Sequence, residues 1–111
     1  MTARSIRVLH RGQQGTIRHN FNWPPINLDS AVVITAAEFA PQFGGFGGGP
    51  KTLGWPLLGA ANVYVTNVGP HGVPGVEAGG VEFLLHVDWP SPLDVIVTIT
   101  VHEDIEEFFQ A

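Results

Sequence analysis

The sequence predicts an all-β fold. The expected architecture is a single antiparallel β-sandwich of six to seven strands, jelly-roll-like or immunoglobulin-like, with a small closed β-barrel as the alternative. Three observations carry this prediction. Val81, Phe83, Leu85, Val87 and Trp89 share one parity, and Leu93, Val95, Val97, Ile99 and Val101 share another unbroken run. A period of two places each group on one face of a strand. Further β-branched stretches recur along the chain between Gly- and Pro-rich turns, and nothing repeats at the period of about 20–50 residues that marks a solenoid.

The first strand is expected around Ile6 to Arg11, where Ile6, Val8 and His10 alternate with Arg7, Leu9 and Arg11. Gly12-Gln13-Gln14-Gly15 supplies a turn, and Thr16 to Phe21 follows with Ile17, His19 and Phe21 on one face. Together they predict an N-terminal hairpin. Trp23-Pro24-Pro25 ends it, because proline lacks the amide hydrogen a ladder needs and restricts the residue before it. Ala31 to Phe39 carries apolar residues on both parities, which fits a strand covered on both faces.

Residues 40–60 contain seven glycines and three prolines, so a long regular element is excluded, although Leu53 to Leu58 suits a short edge strand. Phe43, Phe46 and Trp55 lie in this loop. A connection of this length is uncommon in a compact domain and is often functional. Asn62 to Val68 resumes strand alternation, with Val63 and Val65 opposite Tyr64 and Thr66. Turns at residues 69–75 and 78–80 lead to the two runs named above, which the short Pro90-Ser91-Pro92 corner joins as a second expected hairpin. Glu82, His86 and Asp88, then Asp94, Thr98 and Thr100, take its outward face. Residues 103–111 form an acidic and aromatic tail in which Ile105, Phe108 and Phe109 have the spacing of one helical turn.

A chain of 111 residues suits one domain over 1–111 with a core of its own. It has no cysteine, which excludes disulfides, thiolate zinc sites and a thiol nucleophile. Hydrophobic residues make up 44% and charged residues 14%, so much of the surface is neutral. The net charge of −5 is unevenly spread. Arg4, Arg7, Arg11 and Arg18 are four of the five basic residues, whereas acids dominate from Glu77 onward. An acidic chain repels phosphate backbones, which argues against nucleic acid as a partner. The chain as given reads as soluble, with no signal peptide or transmembrane segment, and gives no compartment.

No nucleophile elbow surrounds Ser5, Ser30 or Ser91. His86 and Asp88 are two apart on one strand face and, with His102 or Glu82, are the weak candidates for a metal or an acid–base pair. The outward face of a half-buried strand, where polar groups belong in any case, is the favoured account of them, and no cofactor is expected. Phe46 to Thr52 resembles a phosphate loop only superficially, because Pro50 precedes Lys51 and offers no amide hydrogen. His10 and His19 are expected as neighbours across a ladder at the edge of the core. Trp89 has core parity. Trp23, Trp55 and Tyr64 remain as candidates for stacking on a sugar ring.

These features favour a non-enzymatic assembly or adhesion module acting through protein–protein contacts. The expected partner is a second copy of the chain or another protein, in a homo-oligomeric component of a larger particle such as a virion capsid or tail. Phe43, Phe46, Trp55, Ile105, Phe108 and Phe109 are the expected interface residues. A glycan-binding module using the loop tryptophans is the alternative, and a small metal-dependent or His/Asp enzyme is the second.

Overall fold

The computed structural model describes residues 3–42 and 52–111. Seven strands form: β1 (Arg4–Gln13), β2 (Gly15–Asn22), β3 (Ser30–Pro41), β4 (Gly54–Leu57), β5 (Asn62–His71), β6 (Gly80–Asp88) and β7 (Leu93–Asp104). They build a sandwich of two antiparallel sheets, one of four strands in the order β1-β7-β3-β4 and one of three in the order β2-β6-β5. Phe43 and Phe46 lie outside the described residues.

The core is what the alternation dictates. Val81, Phe83, Leu85 and Val87 of β6 face Val95, Val97, Ile99 and Val101 of β7 across the sandwich, and all are buried. Ile34 joins them from β3 and Ile26 from the β2–β3 connection. Ile6, Val8, Phe21, Val63 and Val65 close the margins. Both central strands, β6 and β7, are therefore the most apolar.

Neither expected hairpin forms. β6 belongs to the three-stranded sheet and β7 to the four-stranded one, so residues 89–92 arch from sheet to sheet instead of turning within one. β1 and β2 are split in the same way. Alternation reports which face of a strand is buried and is identical for a hairpin and an arch. Pairing partners are set instead by where each strand finds free hydrogen-bonding edges. β1 pairs with β7 from Arg4↔Val101 to Gln13↔Leu93, and β2 pairs with β6 from Gly15↔Val87 to Asn22↔Gly80. The N-terminal strands thus fold against the C-terminal ones, a jelly-roll-like wrap; an immunoglobulin-like order would have placed the first two strands in one sheet. Gly12 and Gly15 bracket the first arch at φ 64° and 71°, conformations that strain any residue with a Cβ.

Two further expectations change. Trp89 lies past the end of β6 and is 37% exposed, because the chain leaves the sheet plane at the arch. The tail beyond Asp104 contains no helical turn. Its first residue is held instead by a hydrogen bond from the Ile105 amide to the Asp29 carbonyl at 2.8 Å. β4 occupies Gly54–Leu57, inside the span expected for the short edge strand, and pairs with the end of β3. Among the described residues no helix is long and apolar enough to cross a membrane.

Candidate interaction surface

In β7 the odd residues point into the core, so Asp94, Ile96, Thr98, Thr100 and His102 take the outer face. Ile96 is nevertheless only 5% exposed. Its ladder neighbours are Leu9 in β1 and Ala37 in β3, and Phe39 lies two residues further along the same side of β3. Leu53, just before β4, completes a recess of about 220 Å³ with a mixed polar and apolar lining, together with Arg7, Leu9, Phe39, Thr52 and Ile96.

The rim of this recess is cationic. Arg7 donates from Nε to Thr98 Oγ1 at 3.1 Å and has no carboxylate partner among the described residues. Arg11 pairs with Asp94 at 2.9 Å and places its guanidinium 5.9 Å from the centre of the Phe39 ring. The other Asp94 oxygen accepts the Gly12 amide at 3.0 Å, so Asp94 is committed to the arch.

At the opposite end of β7 the tail carries the reverse character. Phe108 is 94% exposed and Phe109 81% exposed, with Glu106 and Glu107 immediately before them. Neither glutamate pairs with a cation among the described residues. Two bare phenyl rings at one chain end exceed the scattered exposure that a folded surface normally carries.

The glycan candidates do not converge. Trp23 follows β2, half-buried, where its amide donates to the Gly79 carbonyl at 2.9 Å and the Arg4 guanidinium lies 5.7 Å from its ring centre. Trp55 is half-buried on edge strand β4, opposite Ala40. Tyr64 stands on the outer face of β5 in the other sheet and stacks on His86, with ring centres 4.5 Å apart and planes 10° from parallel. No ring contact joins the three among the described residues.

The metal candidates are likewise separated. His86 has both ring nitrogens engaged, Nδ1 with Thr16 Oγ1 at 3.0 Å and Nε2 with Thr66 Oγ1 at 2.7 Å. Asp88 is exposed at the end of β6, opposite Asn62, and His102 is exposed on β7 in the other sheet. Among the described residues no three His, Cys, Asp or Glu side chains come together to hold a metal ion.

His10 and His19 do meet, but across the sandwich and not along a ladder. Their ring centres are 4.1 Å apart, and His19 lies 5.8 Å from the Phe83 ring. Gln13 donates to the Arg11 carbonyl at 2.8 Å, which orients its own amide oxygen to accept from His19 Nε2 at 2.8 Å. Burial lowers the pKa of both imidazoles, and the neighbouring His19 lowers that of His10 further.

The outer-face recess was missed by reasoning from the sequence. Its signal was present: Leu9 between Arg7 and Arg11, and Ile96 between Asp94 and Thr98, are apolar exceptions on otherwise polar faces. Only the β1–β7 register brings the two exceptions together. Compared with known proteins, the chain matches no family model, no curated protein and no solved structure.

Proposed function

We propose that this β-sandwich is a non-enzymatic assembly or adhesion module that works through protein–protein contacts, as a homo-oligomeric structural component of a larger particle such as a virion capsid or tail. The observation that carries the reading is the pair of bare rings, Phe108 and Phe109, at the end of an acidic tail that leaves the sandwich after Ile105. Burial of apolar area at roughly 25 cal/mol per Å² makes exposed phenyl rings a standing drive toward association. Leu53, Leu58 and Val76 add further exposed apolar surface. Sedimentation velocity over a concentration series tests the reading. The expected result is a concentration-dependent oligomer; a strict monomer at tens of micromolar overturns it.

A further inference from the structure

We infer that the tail of one copy docks in the outer-face recess of the next, so that the chain assembles head to tail. The inference rests on the assembly reading and names its partner: a second copy of this chain. Three observations support the pairing.

The first is chemical complementarity. The recess combines the apolar side chains of Leu9, Phe39, Leu53 and Ile96 with the cationic side chain of Arg7. The tail offers two phenyl rings preceded by two carboxylates. Arg7, Glu106 and Glu107 all lack an opposite charge among the described residues, so docking would satisfy groups that the single chain leaves unpaired.

The second is reach. Ile105 is tied to Asp29 at the far end of the four-stranded sheet. Ile96 and Ile105 are separated along β7 by about 30 Å at the rise of a strand. The stretch from Ile105 to Phe109 spans at most about 14 Å when fully extended. The rings therefore cannot bend back into their own recess, and only another copy can present them there.

The third is geometry of assembly. The recess lies toward the arch end of β7 and the tail leaves from its other end. A contact between two different patches is heterologous, and repetition gives a ring if the rotation closes or a filament if it does not. Either product suits a particle component.

Complementation tests this with full-length protein and two variants. One ends at Glu107 and retains the recess. The other, Arg7→Glu with Leu53→Glu, retains the tail and places two carboxylates where Glu106 and Glu107 would arrive. Both substitutions fall at exposed positions. Unchanged melting of each variant establishes that it folds; if the double variant does not, Leu53→Glu alone, at a position 64% exposed, replaces it. Each variant alone is expected to be monomeric, and an equimolar mixture to give a one-to-one heterodimer. A synthetic Ile-Glu-Glu-Phe-Phe-Gln-Ala peptide should bind the truncated chain, and at least tenfold more weakly when Arg7→Glu is added.

If either variant keeps the wild-type oligomer, the tail-to-recess contact is wrong while the assembly reading stands. Two monomeric variants that fail to complement, or a peptide that fails to bind, overturn the contact in the same way and assign the recess to a different occupant. A wild-type chain that stays monomeric overturns both.

Discussion

Val97 and Thr98 are adjacent in β7 and have opposite fates. Val97 is fully buried between β1 and β3, opposite Val8 and Ala36. Val97→Asp would bury an unpaired carboxylate and is expected to cost more than about 4 kcal/mol, enough to unfold a domain of this size. Thr98 faces outward against Arg7, whose Nε already donates to its hydroxyl. Thr98→Asp hands that donor a carboxylate, so its effect is expected to stay within about 1 kcal/mol. Urea denaturation of the two variants compares them directly. The His10–His19 pair contributes a response to acid just below neutrality. Both imidazoles titrate below their ordinary value of 6.5 when folded, so the unfolded chain binds more protons just below that pH. The stability they contribute is complete above about pH 6.5 and is lost as pH falls toward the folded values. Melting temperature is therefore expected to decline as pH is lowered through 6.5, and His19→Gln should flatten that decline by removing one of the two titrating rings.

At the scale of elements, the connections decide more than the strands. Gly79 sits where the β5–β6 connection passes the β2–β3 crossover, and any Cβ there would overlap the carbonyl oxygens of Ile26 and His71. Both are backbone atoms and neither can rotate away. Gly79→Ala is expected to lower stability by about 2–4 kcal/mol, whereas Gly12→Ala, with open space around it, should cost about 1 kcal/mol from its positive φ alone. Calorimetric melting of the two alanine variants separates clash from backbone preference. The same distinction explains what the amino acids revealed in advance. The strands were legible because their inward side chains alternate without interruption, as in Val81 to Val87 and Val95 to Val101. Their pairing was not, because the Pro90-Ser91-Pro92 corner is short enough for a hairpin and long enough to cross the gap of about 10 Å between sheets. The recess stayed hidden for a related reason: Leu9 and Ile96 become neighbours only through pairing between opposite ends of the chain. The exposure of Phe108 and Phe109 was not decided by the sequence, because the spacing of Ile105, Phe108 and Phe109 suits a turn tucked on the sandwich as well as a segment that leaves it.

Across the whole molecule, charge follows the chain and is then folded back on itself. β1, which carries Arg4, Arg7 and Arg11, pairs along its length with β7, which bears Asp94, Glu103 and Asp104. Among the described residues Arg11 and Asp94 form an ion pair between these two strands, the net charge is −5, and Glu106 and Glu107 place two further acids in the tail. Association between an acidic tail and an arginine-rimmed recess should therefore weaken with salt, while burial of the phenyl rings should persist. Oligomer dissociation constants measured between low salt and 1 M sodium chloride are expected to rise by about tenfold, the order of one or two screened exposed ion pairs.

The pairing of β1 with β7 and of β2 with β6 also fixes when the protein can mature. β1 and β2 precede their ladder partners in the chain, so during synthesis each emerges with that edge bare. The three-stranded sheet is incomplete until β6 joins it, and the four-stranded sheet until β7 does. A nascent chain stalled before Leu93 would hold β1 and β3 without the strand that joins them, leaving both edges open to other chains.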